Sequence, residues 1–341
     1  MAIIQSRRRF VTNAAVAGAA GLGALGAISR GGRRSFAAEP PPEISTIRLD
    51  KSPVTCVAPL YVAEELLHAE GFSEVRYETL NEATPSQKLA RDEVDWTMDF
   101  APAVIEAVDG GAPVTMVAGI HAGCFELFAH EHFRSVADLK GRTVGVPPGF
   151  ATPRQLVSIM ASYVGIDPHK DIHWVSDPSA KPMDLFIDRK IDAFLASAPR
   201  PQELRARGIG HSLVNSATDR PWSQYFCCML TGRTEFVRKY PLATKRVLRA
   251  MLKAAGLYAT EPERVGQLLV DRGYTPRFDY ALQALNELPY KVWREYDPED
   301  TVRWYALRLN EGGFTKAVPQ TIIAEHTDWR FLNELKRELK V

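Results

Sequence analysis

The 341-residue sequence predicts an α/β fold of two similar lobes followed by a helical C-terminal extension. Between residues 44 and 225, short apolar runs alternate with amphipathic helical segments, a pattern typical of βαβ units. After residue 230 the pattern becomes almost entirely helical up to Val341. Because 45% of the residues are apolar, the chain can bury a core large enough for both lobes.

The two lobes are predicted from an internal repeat. Glu93-Val94-Asp95 is followed by Phe100-Ala101-Pro102, and 97 positions later Lys190-Ile191-Asp192 is followed by Ser197-Ala198-Pro199. Each copy has an acidic residue that opens an apolar strand, and then a strand-to-helix turn with proline at the first helical position. Two lobes with the same βαβ order follow from this repeat.

The domain boundaries are predicted from the points where the chain changes lobes. The apolar run that begins at Cys124 is typical of a strand crossing to a second lobe, and the run from Tyr225 to Leu230 is typical of a strand returning to the first. We therefore expect residues 44–125 and 226–341 to form the first lobe, and residues 126–225 to form the second.

Residues 1–37 are interpreted as a twin-arginine export signal. Ser6 to Thr12 contains the arginine motif, and Ala14 to Ile28 is too short and too mildly apolar to span a hydrocarbon core of about 30 Å. Ser35-Phe36-Ala37 offers small residues for cleavage after Ala37, and an uncleaved signal anchor is the alternative. Residues 38–43 form a proline-rich linker. We expect the protein to reach the periplasm.

Charge argues against a nucleic-acid-binding protein. The formal net charge is +1, but the first 37 residues contain six arginines and no acidic residue. The remainder has 36 basic and 41 acidic residues, and a net charge of −5. A mildly acidic domain has no field that would attract nucleic acid. Gly21 to Gly26 matches GxGxxG, but no strand precedes it, so we do not expect a dinucleotide site.

Proline marks four turns at which predicted strands lead into helices: Ala58-Pro59, Ala101-Pro102, Thr152-Pro153 and Ala198-Pro199. In open α/β sheets ligands gather beyond the carboxyl ends of the strands, where helix N-termini present free N–H groups. The four turns therefore favour an anion-binding cleft, although proline is common at helix starts in any protein. Thr152 is also a candidate helix N-cap.

Two arginines and one tyrosine extend this prediction. Arg154 and Arg200 each follow a helix-starting proline, where the helix dipole disfavours a cation. An anionic ligand and an ordinary surface partner are both possible explanations. Tyr225 lies where the chain returns between the lobes, so its ring is a candidate to line the cleft, with core packing as the alternative.

The four cysteines are expected to be buried free thiols: Cys56, Cys124, Cys227 and Cys228. An oxidising compartment would permit a disulfide, but no paired spacing argues for one. Cys227 and Cys228 fall within an apolar strand, where a cysteine is usually inert. No GxSxG or HExxH motif occurs, so we do not expect an enzyme.

A metal site and a cofactor are not expected either. Potential ligands crowd one segment, namely His121, Cys124, His130, Glu131 and His132. The spacings that accompany tetrahedral sites, such as CxxC or HxxxH, are absent from that segment.

Two longer motifs resemble a known family. Ala58 to Leu66 (APLYVAEEL) resembles the nitrate/sulfonate/taurine-type substrate-binding proteins of ABC transporters, and Asp138 to Val146 (DLKGRTVGV) is similar to the stretch that opens their second lobe. The resemblance runs from about Thr46 to the C-terminus. It implies a type II periplasmic binding fold, a cleft that closes on a small ligand in Venus-flytrap fashion, and a permease partner. It also implies a monomer that meets the membrane only through that permease.

The family's ligand-binding turns map here onto Thr55, Cys56, Phe100, Ala101, Gly123, Ala151, Thr152 and Ser197. Arg154 and Tyr225 complete the set of candidate ligand-binding residues. The first turn, Pro53 to Val57, is more apolar than in many sulfonate receptors. We therefore expect a small organic anion, sulfonate-like or a carboxylate, rather than nitrate.

The alternative is an enzyme on the same fold, similar to thiamine-pyrimidine synthases. Those enzymes carry a dense cysteine cluster, a cofactor lysine and a catalytic histidine. In this sequence only Cys227 and Cys228 are adjacent, and an export signal fits poorly with cytoplasmic biosynthesis.

Overall fold

Two mixed five-stranded sheets organise the chain in this computed structural model, which describes residues 39–51, 55–78, 84–149 and 151–339. Helices cover both sheets, so the predicted α/β fold class with two lobes and C-terminal helices is confirmed. The expected export signal lies outside the described residues. Among the described helices, none is both long enough and apolar enough to cross a bilayer.

Sheet I has the order β2-β1-β3-β10-β4. Its strands are β1 (Thr46–Asp50), β2 (Glu74–Glu78), β3 (Trp96–Phe100), β4 (Val114–Ala122) and β10 (Phe226–Arg233). The first three run parallel, and β10 lies antiparallel between β3 and β4. Every residue of β3 and β4 is buried, which explains why both strands are mostly apolar and lack an alternating pattern.

Sheet II has the order β7-β6-β8-β5-β9. Its strands are β5 (Phe125–Ala129), β6 (Arg142–Gly145), β7 (Ile172–Val175), β8 (Ala193–Ser197) and β9 (His211–Asn215). Here β5 is the antiparallel strand, between β8 and β9. Each sheet therefore has one antiparallel strand, in the same fourth position.

The internal repeat corresponds to equivalent hydrogen bonds in the two sheets. The Asp95 carboxylate accepts the Arg48 N–H of β1 at 2.9 Å, and the Asp192 carboxylate accepts the Thr143 N–H of β6 at 2.8 Å. Each aspartate thus ties the start of its own strand to the neighbouring parallel strand. The shared pattern in the sequence has the same structural cause in both sheets.

The helices follow the predicted order with small shifts at their ends. Those beside sheet I are α1 (Pro59–Val62), α2 (Glu64–Ala69), α3 (Pro85–Ala90) and α4 (Ala101–Asp109). Those beside sheet II are α5 (Ala151–Tyr163), α6 (Pro182–Ile187) and α7 (Arg200–Ala206). In place of one continuous helix between Pro59 and Ala69 there are two short helices, which meet at Ala63.

As far as residue 339, where the description of the chain ends, the C-terminal part contains seven α-helices: α8 (Thr234–Lys239), α9 (Pro241–Thr260), α10 (Pro262–Asp271), α11 (Phe278–Glu287), α12 (Pro298–Glu311), α13 (Pro319–His326) and α14 (Arg330–Glu338). Helices α9, α13 and α14 pack on β4, and α12 packs on α4, so this part covers sheet I. Helix α11 also reaches α7 beside sheet II. We call sheet I with its helices the first lobe and sheet II with its helices the second lobe. The precise boundaries given above stay a prediction.

The proline-rich linker is docked on the first lobe along its described part. The Glu43 carboxylate accepts the Leu242 and Ala243 N–H groups at 2.9 and 2.8 Å, at the N-terminus of α9, where the helix dipole favours an anion. The Arg246 guanidinium donates to the Pro40 carbonyl at 2.6 Å. These contacts fix the path of residues 40–43.

Two crossover segments join the lobes and lie side by side. Gly123 follows β4 with φ +52°, and a Cβ at this position would come within 2.2 Å of the Ala217 Cα atom in the second crossover. Ser216 Oγ accepts the Phe125 N–H at 3.0 Å and donates to the Phe125 carbonyl at 2.7 Å. Only glycine permits this close approach with a left-handed backbone.

A disulfide joins the first crossover to β10, which corrects the expectation of four free thiols. Cys124 and Cys227 are bonded, with their Cα atoms 6.5 Å apart, whereas Cys56 and Cys228 are free and buried. The partners are 103 residues apart in sequence. Their proximity comes from the second return of the chain between the lobes, so no local spacing could have indicated it.

Candidate functional site

The predicted ligand-binding residues lie at strand ends and helix starts on both lobes. Thr55 and Cys56 form a 3₁₀ turn that follows β1, and Phe100 ends β3 where Ala101 begins α4. In the second lobe, Ala151 and Thr152 begin α5, and Ser197 ends β8. Gly123 and Tyr225 lie in the crossovers.

A chain of contacts brings several of these residues together across the lobes. Cys56 is hydrogen-bonded to Cys228, which pairs with Phe100 in sheet I. The Phe100 ring meets the Phe125 ring edge-on at 5.3 Å, and Phe125 pairs with Ser197 in sheet II. Helices α4 and α5, which begin at Ala101 and Ala151, pack against each other and so also join the lobes at this junction.

Tyr225 belongs to an aromatic cluster beside this junction. Its ring stacks on Trp304 with centroids 4.5 Å apart and meets Tyr305 at 6.2 Å. Tyr305 in turn meets Phe100 at 5.8 Å. Burial raises the pKa of the Tyr225 hydroxyl, so the ring stays neutral at physiological pH.

Exposure divides the predicted residues. Thr55, Cys56, Phe100, Ala101 and Thr152 are buried, whereas Ser197 and Tyr225 are half-buried. Ala151 and Arg154 are exposed. A cavity between the lobes, lined by residues such as Cys124, Phe125, Gln202 and Leu288, has a volume of only about 20 Å³. That volume holds about one water molecule.

The expected capping role of Thr152 is wrong. Helix α5 begins at Ala151, so Thr152 is its second residue and not its N-cap. The second-lobe turn at Pro199 also differs, since Pro199 is itself the N-cap of α7. Of the four proline turns, Pro59 lies at the first helical position, as expected.

Both arginines that were predicted to need a partner have one within the second lobe. The Arg154 guanidinium lies 5.3 Å from the centre of the Trp174 ring, in a cation–π contact. Arg200 donates to Ser197 Oγ at 3.2 Å. Arg154 is therefore placed by an aromatic ring, and Arg200 reaches a predicted ligand-binding hydroxyl.

Gln155 was missed by the sequence analysis. It lies one turn after Thr152 on α5 and is only 3% exposed. Neither its Nε2 nor its Oε1 atom has a hydrogen-bond partner among the described residues. A buried unpartnered amide is costly, so it indicates a partner that this structure does not contain. The signal in the sequence was a glutamine three residues after Thr152, on the same helical face.

A buried charged group was also missed. Lys88 Nζ lies 2.6 Å from Asp50 Oδ1, with both side chains 1% exposed. Nearby, Asp99 accepts the Phe100 N–H at 2.7 Å and the Ser86 hydroxyl at 3.1 Å. Burial raises the pKa of the Asp99 carboxyl to about 7. The sequence did contain a signal for this group, namely an acidic residue at or near the end of each strand, Asp50 in β1 and Asp99 in β3.

A third group contains cysteines and a histidine. Sulfur and nitrogen atoms of Cys56, His121, Cys124 and Cys228 all lie within 4.8 Å of one another, and all four residues are buried. A hydrogen bond from Cys228 and the proximity of His121 lower the pKa of the Cys56 thiol. The Cys228 pKa is raised by the hydrogen bond to Cys56 and by burial.

This group differs from the segment in which the sequence crowds potential ligands. Only His121 and Cys124 of the crowded segment belong to it. His130 instead stacks on Phe186 at 4.3 Å and is hydrogen-bonded to the Ile191 carbonyl at 3.1 Å. The other two members come from distant positions, 56 and 228, which no spacing motif connects.

Curated relatives match only part of the chain. The bicarbonate-binding protein CmpA of Synechococcus elongatus is 31% identical over 90 residues. That segment is 26% of this chain and 20% of that protein, so the chain spans about a fifth of the length of the curated relative it matches.

Solved structures match most of the fold. The periplasmic nitrate-binding protein NrtA from Synechocystis PCC 6803 superposes with a TM-score of 0.73 at 17% identity, covering 88% of this chain and 90% of NrtA. The alkanesulfonate-binding protein SsuA from Xanthomonas axonopodis pv. citri gives 0.69 at 16% identity, with 86% and 100% covered. The desulfurization enzyme DSZB gives 0.58 at 17% identity, with 86% and 99% covered.

These similarities confirm the resemblance to nitrate/sulfonate/taurine-type substrate-binding proteins and the periplasmic-binding-protein fold. The NMT1-like family matches residues 40–266, more than half of the sequence. The chain belongs to the NMT1-like family.

Proposed function

We propose that this protein is a periplasmic receptor that binds a small organic anion and delivers it to an ABC importer. The observation that carries the proposal is the chain of contacts from Cys56 through Phe100 to Ser197, which joins predicted ligand-binding residues of both lobes at one junction. Ligands of open α/β sheets gather at such strand ends. Export by the twin-arginine pathway and a monomeric state belong to the same proposal.

Closure of the two lobes on the ligand is the proposed mechanism. The lobes comprise residues 44–125 with 226–341, and residues 126–225, joined by the crossovers at Gly123 and Ala217. Glu287 of α11 accepts hydrogen bonds from Arg205 at 2.6 Å and from Gln202 at 2.8 Å, both on α7. This contact between lobes stabilises the closed form, and a ligand that binds the closed form better shifts the population toward it.

The ligand-binding set comprises Thr55, Cys56, Phe100, Ala101, Gly123, Ala151, Thr152, Arg154, Ser197 and Tyr225, to which the structure adds Gln155. The N-termini of α4 and α5 offer free N–H groups to an anion. The rings of Phe100 and Tyr225 suit an organic substituent. The nitrate, alkanesulfonate and bicarbonate named for the compared proteins are all small anions, in accord with a sulfonate or carboxylate here.

One observation favours the alternative of an enzyme. Cys56 carries a thiol of lowered pKa beside His121, at a strand end where ligands bind. An ionised thiol next to a histidine is a potential nucleophile. The thiol of interest is therefore Cys56 rather than Cys227, which is in a disulfide.

The test is to identify and follow the bound molecule. Native mass spectrometry of the purified protein should show a retained anion, and adding more of that molecule should raise the melting temperature by mass action. The molecule should be recovered unaltered after incubation. If the wild type converted the molecule and Cys56→Ser did not, the proposed receptor function would be rejected in favour of an enzyme.

A further inference from the structure

We propose that Cys56, His121, Cys124 and Cys228 form a buried binding site for one soft or borderline metal ion, such as Zn²⁺ or Cu⁺, completed when the Cys124–Cys227 disulfide is reduced. We call these four residues the thiol–imidazole cluster. The proposal concerns a second ligand and stands independently of which solute the receptor binds.

The ligand set and its spacing fit such an ion. Three sulfurs and one imidazole are the donors that Zn²⁺ and Cu⁺ prefer. Zinc–sulfur bonds of about 2.3 Å and zinc–nitrogen bonds of about 2.0 Å place ligand atoms about 3.5–3.8 Å apart in a tetrahedron. The four donor atoms already lie within 4.8 Å of one another. Side-chain movements on the order of 1 Å therefore suffice to close the site.

His121 is held in the form that a metal requires. Its Nδ1 atom donates to the Ala122 carbonyl at 3.1 Å, which leaves the lone pair on Nε2. The Nε2 atom is buried and has no hydrogen-bond partner among the described residues. Metal-binding histidines commonly have their second nitrogen bonded to a backbone carbonyl in this way. An ion in the cluster would satisfy the unpartnered nitrogen.

The surrounding fold holds the cluster in place. Cys228 on β10 pairs with His121 on β4 in sheet I, so their relative position is fixed by backbone hydrogen bonds. Tyr290 packs against the His121 ring at 4.9 Å, and its hydroxyl donates to the Cys56 carbonyl at 3.2 Å. One tyrosine thus positions two of the four ligands.

The disulfide controls the fourth ligand. While Cys124 is bonded to Cys227, its sulfur is not a thiolate, and Cys56, His121 and Cys228 remain. A dithiol reductant supplies two electrons and two protons, is itself oxidised to a disulfide, and leaves two cysteine thiols. When the ion binds, each coordinating thiol that is still protonated releases its proton to the buffer.

Access to the cluster is available from the junction of the lobes. Cys124 lines the cavity between the lobes, together with Glu126 and Glu287, whose carboxylates pair with Arg205. The cavity has room for about one water molecule when the lobes are closed. Separation of α7 from α11 would widen this entry.

The first experiment titrates the full chain with Zn²⁺ and, as a spectroscopic probe, with Co²⁺, before and after reduction by a dithiol that is then removed under anaerobic conditions. We expect one equivalent of metal per chain, with reduction raising the affinity at least tenfold. Bound Co²⁺ should give the intense sulfur-to-metal absorption and visible bands of a tetrahedral thiolate site. Absence of stoichiometric binding to the reduced protein would overturn the proposal.

A matched pair of variants distinguishes ligation from the loss of the disulfide. Cys124→Ser and Cys227→Ser both remove the disulfide, but only Cys124 belongs to the cluster. Cys227→Ser should bind Zn²⁺ as tightly as the reduced wild type without any reductant, and Cys124→Ser should bind at least tenfold more weakly. Equal affinities in the two variants would overturn the assignment of Cys124.

His121→Phe provides the last arm, because a phenyl ring fills the same site without a ligand atom. Circular dichroism is the check that this variant folds. The variant should bind Co²⁺ without the tetrahedral spectrum, or at least tenfold more weakly than the wild type. An unchanged spectrum and affinity would show that the metal lies elsewhere. Melting of all variants with the solute identified above reports separately on the receptor function.

Discussion

At the scale of single residues, the burial of Asp99 makes the free energy of unfolding depend on pH. Its carboxyl is held in the first lobe by the Phe100 N–H and the Ser86 hydroxyl, and burial raises its pKa from 3.8 to about 7. Between these two values the folded protein keeps a proton that the unfolded chain has lost. The free energy of unfolding therefore falls as the pH rises from 4 to 7, and stays at the lower level above pH 7.

Asp99→Asn should remove this contribution, since an amide retains an acceptor for Phe100 and a donor toward Ser86. We expect the variant to be more stable than the wild type at pH 8, by no more than about 4 kcal/mol, given about 1.4 kcal/mol per pKa unit. Urea unfolding at pH 4, 6 and 8 measures the difference. A constant difference between variant and wild type across this range would show that Asp99 does not titrate there.

Replacing Gln155 is expected to change stability and ligand affinity in opposite directions. Gln155→Met keeps the size of the side chain and removes an amide that has no partner among the described residues. Without ligand, the variant should therefore melt at a higher temperature than the wild type. If the amide contacts the bound anion, affinity should fall about tenfold or more, since a hydrogen bond to a charged group contributes about 1.5–3 kcal/mol.

Calorimetry with the retained solute measures the affinity of this variant. Ser158→Ala, one turn further along the same buried helical face, serves as a control for packing changes in α5. Unchanged affinity in Gln155→Met would remove Gln155 from the ligand-binding set.

Individual site residues were predictable only where local sequence determines the position. The strand-to-helix turn at Ala101 was predicted because proline follows an apolar strand, whereas Phe100 was assigned through the family resemblance. The thiol–imidazole cluster was not found, because its members come from a 3₁₀ turn, two strands and a crossover. The Cys124–Cys227 bond depends on the same tertiary arrangement. Long-range proximity of this kind has no signature in residue spacing.

At the scale of elements, the contact between α7 and α11 is predicted to set the balance between closed and open forms. Glu287→Gln removes the charge that meets Arg205, whose side chain is 34% exposed. A partly exposed ion pair contributes at most about 1 kcal/mol, so solute affinity should fall by no more than about fivefold. Small-angle X-ray scattering of the ligand-free variant should show a larger radius of gyration.

Glu203→Gln is the matched control for this change. Glu203 also lies on α7 and pairs with Arg207 at 3.0 Å, but within the same helix. The variant loses the same charge and leaves the hydrogen bonds to Glu287 intact. An equal drop in affinity in both variants would mean that net charge, and not the contact between lobes, is responsible.

Element order was predictable because apolar runs and helical periodicity are local properties of the chain. Strand β4 continues through His121 to Ala122, past the apolar run that ends at Ile120. The additional residues are buried and pair with β10, so a partner strand distant in sequence determines their conformation. The break between α1 and α2 was also missed, since the helical pattern runs through Ala63 without interruption.

At the scale of the whole molecule, two lobes and a returning chain were predictable from the repeat and from the apolar run at Tyr225. The relative placement of the crossovers was not, because it depends on Gly123 approaching Ala217 and on the serine bridge at Phe125. These contacts involve small side chains that have no recognisable pattern. The docking of the linker by Glu43 on α9 likewise joins residues about 200 positions apart.

The central position of β10 in sheet I has a consequence for the order of folding during synthesis. The strands of sheet II are contiguous, from Phe125 to Asn215, so all of them leave the ribosome before β10. Sheet I lacks the strand between β3 and β4 until Arg233 has been made. Domains fold as units once their chain is available, and pairings distant in sequence form slowly. The inserted second lobe therefore completes its sheet first, and the first lobe, although its synthesis begins earlier, closes its sheet last.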